Sequence, residues 1–173
     1  MEDYPWYEIV EGRELYQGDI LTSCPLILPP LAIEDGTKVD VDVIEYDVIV
    51  MSQSCDLIQN KLELVLVCPI WALSKFEDKN PAYKNPKMKE SLRKGMLSGF
   101  HLLNKCELDG FKKEYLVVDF RSVFSVSFGF LSTLAEQRGK RLRLLPPYRE
   151  HLSQAFARFF MRVGLPVDIP PFR

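Results

Sequence analysis

Two stretches of the chain are apolar for longer than a half-exposed strand allows: "VIVM", Val48 to Met51, and "LELVLVCPI", Leu62 to Ile70. A strand with one wet face alternates polar and apolar residues, whereas a continuous run requires cover on both faces. The chain must therefore build a sheet whose central strands are buried above and below. Ser52 to Lys61 joins these strands as the link of a hairpin-like pair.

Other segments fit around that centre. Gly18-Asp19-Ile20-Leu21 leads into a short strand ending at Leu28, and "KVDVDVI" alternates Val39, Val41 and Val43 against Asp40 and Asp42. In "HLLNKCELDGFKKEYLVVDF" the pair Asp109-Gly110 supplies a hairpin turn, with Tyr115 to Phe120 as the return strand. "SVFSVSFGFL" reads as a further strand with a bulge near Gly129. Prolines punctuate the chain at Pro29-Pro30, Pro81, Pro86, Pro146-Pro147 and Pro170-Pro171. After Pro147 the period changes: Leu152, Ala155, Phe156, Phe159, Phe160 and Val163 recur every three or four residues, and Gly164 and Pro166 stop the run. The expectation is a mainly β fold of five to seven strands with a C-terminal amphipathic helix. One domain spans residues 1–173, with a sheet core at about 15–130, an excursion at 77–99 carrying a short helix marked by Met88, Leu92 and Met96, and the final helix at about 147–163.

At 173 residues the chain is long enough to bury about two-thirds of its unfolded surface in one core. No window approaches the roughly 18 apolar residues of a membrane span, and the acidic start "MEDYPWYEIVEGREL" has no apolar leader, so a cytoplasmic protein is expected. In that compartment Cys24, Cys55, Cys68 and Cys106 are free thiols. They form no CxxC pair, so neither a metal nor a cofactor is called for.

The net charge of −2 conceals an asymmetry. Residues 1–70 hold fourteen acids against three bases, and residues 71–173 ten acids against nineteen bases. Either the halves attract each other within one fold, or the basic half faces an anionic partner. Nucleic acid would then draw on Arg121, Arg141, Arg143, Arg149, Arg158 and Arg162, although neither a recognition helix nor an aromatic-basic RNA motif is legible.

The order of motifs carries a resemblance. "GDI" at Gly18 to Ile20, Pro25, "VIVMS" at Val48 to Ser52, "LVCPI" at Leu66 to Ile70 and "LVVDFRSVFSV" at Leu116 to Val126 resemble, in sequence order, the growth-inhibitor toxins of the MazF and PemK type. The resemblance implies a bacterial protein with an SH3-like β-barrel. That family cuts RNA with an Arg from an Arg-Pro pair before the "VLV" strand and a Thr after the next strand's Pro-Ile. Here those positions read Tyr46-Asp47 and Trp71, so both catalytic groups are missing.

Candidate site residues cluster where the first buried strand ends, at Ser52-Gln53-Ser54-Cys55-Asp56. The segment concentrates donors, acceptors, a thiol and a carboxylate, which suits either a polar ligand pocket or a tied-down turn. Catalysis there would involve Cys55 and Asp56 with Asp19 or Arg121, and His101 or His151 are the available activators of a thiol. Three functions follow: a binding or regulatory subunit on a toxin-like barrel, in a toxin-antitoxin or defence setting with a protein partner; a hydrolytic or nucleotide-processing enzyme at Ser52 to Asp56; or an interaction scaffold using Asn80 to Lys94. "YPWYEI", Tyr4 to Ile9, is expected to cover an edge strand or to meet that partner.

Overall fold

The computed structural model describes residues 4–32, 35–36, 38–59 and 61–161. The two apolar runs are the middle of the sheet. β3 (Asp42–Val50) and β4 (Leu64–Ala72) pair antiparallel, with Val48 opposite Pro69 and Val50 opposite Val67. Their side chains divide between two cores. Ile49, Met51, Cys68 and Ile70 enter one, and Val48, Val50, Val65 and Val67 the other. This two-sided burial accounts for the unbroken apolar sequence.

The remaining strands are β1 (Tyr7–Val10), β2 (Ile20–Leu28), β5 (Phe100–Leu103), β6 (Leu116–Asp119), β7 (Phe124–Ser127) and β8 (Arg141–Leu144). The main sheet runs β2-β3-β4-β6-β5, and β7 also pairs with β4. β6 and β7 follow one another along β4, which meets Leu116 at Ala72 and Ser127 at Leu64. A second sheet pairs β1 with β8. Gly18 ties the two together: its N–H donates to Val50 O and its carbonyl accepts from Leu144 N, both at 2.9 Å.

Helices cover the faces. α1 (Ser54–Ile58) and α4 (Phe128–Arg138) bring Leu57, Leu131, Leu134 and Ala135 to one core, while α5 (Tyr148–Phe160) brings Leu152 to the other. α2 (Leu73–Lys79), a 3-10 turn (Pro81–Lys84) and α3 (Pro86–Arg93) make the excursion, anchored by Phe76 and Leu92 against Phe100 and Val117. No helix among the described residues is long and apolar enough to cross a membrane.

Several expectations are corrected. The described strands number eight and form no closed barrel; helix and strand are nearly equal at 31% and 32%, so the fold is a mixed, antiparallel, sheet-rich one rather than mainly β. β1 and β8 lie outside the expected 15–130 core and still belong to the sheet structure. The link after β3 is helical. Gly129 is helical too, because the strand ends at Ser127 and Leu131, Leu134 and Ala135 recur at helical spacing. "KVDVDVI" presents the opposite face from the one expected: Val41 and Val43 are exposed at 47% and 59%, while Ile44 and Tyr46 pack inward. The buried end of β3 sets its parity, and Ile44, Tyr46, Val48 and Val50 all face that core. The excursion begins earlier than expected, at Leu73, and the final helix is described from Tyr148 to Phe160; Arg162, Val163, Gly164 and Pro166 lie outside the described residues.

Candidate functional site

The polar run after β3 is mostly occupied by the fold itself. Ser52, only 8% exposed, accepts from Leu66 N at 2.9 Å, and Ser54 Oγ accepts from Gln17 N at 3.1 Å. The Gln17 side-chain amide donates to Met51 O at 2.8 Å, and that of Gln53 reaches Ser153 Oγ on α5 at 3.1 Å. These contacts fasten α1 between the sheet and α5. What remains open is a depression of about 380 Å³, where exposed Cys55 and Gln53 face Arg149, Glu150 and Gln154.

The proposed catalytic groups are not brought together. Asp19 is completely buried and holds both Arg141, at 2.9 Å, and Arg143. Arg141 also donates to Gly12 O at 2.8 Å, and Arg143 lies 4.0 Å above the Tyr16 ring. Arg141 and Arg143 are therefore structural cations, with side chains 3% and 13% exposed, and not part of an outward nucleic-acid surface. Arg121 is held by Asp119 through two side-chain contacts of 2.9 Å and sits 4.3 Å over Phe100. No hydrogen bond or ion pair joins any two of Cys55, Asp56, Asp19 and Arg121 among the described residues. His101 and His151 line a different pocket from Cys55, so no Cys-His pair forms. No group of three or more His, Cys, Asp or Glu side chains among the described residues is arranged to hold a metal ion.

The two positions that replace catalytic groups in the resemblance do meet. Both lie just beyond the β3–β4 ladder, which ends where Val48 pairs with Pro69. Their rings pack edge-to-face with centroids 5.2 Å apart, and Tyr46 also leans on Phe124 at 6.4 Å. Such pairs add about 0.5–1.5 kcal/mol beyond the area they bury. Lys79 Nζ stands 4.0 Å over the indole.

The rings form part of a concavity of about 430 Å³ that also includes Lys75, Lys112 and Lys113. Two of its acids are engaged by backbone groups: Asp47 accepts from Ser23 N at 3.0 Å, and Glu114 from Ser74 N at 3.0 Å. Lys75, Lys112 and Lys113 make no ion pair among the described residues. The face thus offers an aromatic centre ringed by charges of both signs. The substitutions were visible in the sequence, but the contact between them depended on strand register. Compared with known proteins, the chain matches no family model and no curated protein.

Proposed function

We propose that this protein is a binding or regulatory subunit built on a toxin-barrel-like frame. It recognises a protein partner through the Tyr46–Trp71 face and does not cut RNA. The frame is supported by the way β1, β2, β3, β4, β5, β6 and β8 all contribute to one core, through Tyr7, Ile20, Ile49, Ile70, Leu103, Val118 and Leu144. Tyr7 Oη donates to Asn104 O at 2.6 Å, linking β1 to the end of β5.

The single observation that carries the function is the aromatic pair standing where the resemblance places an Arg and a Thr. Cleavage of a phosphodiester needs a fixed cation beside the developing charge, and neither ring supplies one. A half-exposed Trp and Tyr ringed by mixed charges is instead the composition of an interface core. A toxin-antitoxin or defence complex in the cytoplasm is the setting this implies. The hydrolase reading at Ser52 to Asp56 has weaker support, since Ser52 and Ser54 are engaged by backbone groups.

The test is incubation of the purified protein with mixed RNA at low salt. No cutting is expected. Sequence-specific cutting that disappears in Asp56→Ala or Arg121→Ala would restore the enzyme.

A further inference from the structure

His101 and His151 are the only histidines in the chain, fifty residues apart, and both line one cleft between α3, β5 and α5. The cleft has a volume of about 310 Å³. Arg93 and Lys94 come from the end of α3, His101 from β5, and His151 and Arg158 from α5, two turns apart. Its floor is apolar, formed by Leu97, Phe100 and Ala155. No carboxylate lines it. Glu90 holds Arg93 at 2.7 Å and Lys94 at 3.3 Å, and Glu150 interacts electrostatically with His151, while Arg158 has no ion pair among the described residues.

Neither imidazole makes a hydrogen bond within the described residues; their ring neighbours are Phe120 for His101 and Tyr148 for His151. Burial above all, and then the neighbouring His151 and Arg158, pushes the His101 pKa down to about 4. Arg93, Lys94 and Arg158, gathered on one cleft, repel one another unless something cancels their charge. A bound dianion would do so, and it would turn the repulsion into charge-assisted hydrogen bonds.

We propose that the cleft formed by Arg93, Lys94, His101, His151 and Arg158 is a binding site for a phosphate monoester. Its volume falls at the lower end of small-ligand pockets, which suits a free phosphate group or one carried by a mononucleotide with its ring against the Leu97 and Phe100 floor. The site is separate from the aromatic face and does not depend on the role assigned to it.

Titration of the purified protein with inorganic phosphate, and separately with adenosine monophosphate, tests this by following the imidazole proton resonances. Saturable shifts of both His101 and His151 are expected, with an apparent affinity at least tenfold weaker in Arg158→Gln and in His151→Asn. Each variant's melting curve establishes that it is folded. Equal affinity for the two probes identifies free phosphate chemistry as sufficient, and tighter binding of the nucleotide adds the apolar floor; both outcomes support the site. Absence of a shift with either probe up to about 10 mM, where even a millimolar site fills, overturns it. So do shifts that persist unchanged in both folded variants.

Discussion

Asp19 and Arg141, 122 residues apart in the chain, form a buried ion pair: the carboxylate is wholly buried and the guanidinium side chain 3% exposed. The acidic first half and the basic second half of the sequence thus neutralise each other partly inside the fold. Removing one member strands a charge, which costs about 3–5 kcal/mol at a buried pair. Asp19→Ala should lose stability on that scale in chemical denaturation. A loss below about 1 kcal/mol would mean that water reaches the pair.

The aromatic pair can be measured without its partner. A double-mutant cycle with Tyr46→Leu and Trp71→Leu should return a coupling of about 0.5–1.5 kcal/mol, the range for edge-to-face rings. Zero coupling would show that the rings do not meet.

Thiol reactivity should be sharply selective. Burial raises Cys24 to about 11 and Cys68 to about 12, so both are protonated at neutral pH, and Cys106 is buried as well. Only Cys55 is exposed. Mass spectrometry after brief iodoacetamide treatment should find one labelled site in the native protein and four after denaturation. Early labelling of Cys68 would contradict the burial of the β3–β4 core.

Acid should weaken the fold through His101. Its folded pKa of about 4 lies below the ordinary 6.5, so between these values the unfolded chain binds a proton that the native chain does not. The stability from keeping the ring neutral is complete above pH 6.5 and is lost as the pH falls towards 4, at about 1.4 kcal/mol per pH unit. His151 and Arg158 on α5 set this shift with burial, while Arg93 and Lys94 face the same cleft and are partly balanced by Glu90. Melting temperatures at pH 7.5 and 5 should differ less in His101→Asn than in the native protein. An equal difference in both would place the acid sensitivity elsewhere.

Gly18 should tolerate no side chain. Its φ is +88°, and a Cβ there would lie 2.9 Å from Leu144 Cβ. Strain and overpacking together predict a loss of about 2 kcal/mol or more for Gly18→Ala, read as a fall in denaturation midpoint. A neutral substitution would show that β8 can shift away from β2.

Legibility in the sequence followed the range of the interactions. The central strands, the Asp109-Gly110 turn and the amphipathic α5 were visible because each is written in a local pattern. β8 was not, since Arg141 and Arg143 look like surface cations until Asp19 is placed beside them. α1 and α4 hid for a different reason: α1 is five residues long, and Phe128 to Leu131 continues an alternation that began in a strand. The aromatic start shows in the sequence as cover for the fold or as a partner surface; Tyr7 is in the core and Trp6 stacks on Tyr148 with centroids 3.5 Å apart. The histidine cleft was out of reach, because nothing in the sequence indicates that β5 and α5 lie side by side.

The pairing of Tyr7 with Leu144 has a consequence for synthesis. While the ribosome is still translating the middle of the message, β1 has no ladder partner, and its backbone donors must remain hydrated. The central hairpin of β3 and β4 can form early, but this last seam waits until Arg141 to Leu144 have been made. Topologies completed by such distant strands fold slowly and leave an unpaired edge exposed in the meantime. Glu8, directly opposite Arg143 in the finished ladder, keeps a charge on that edge during the wait.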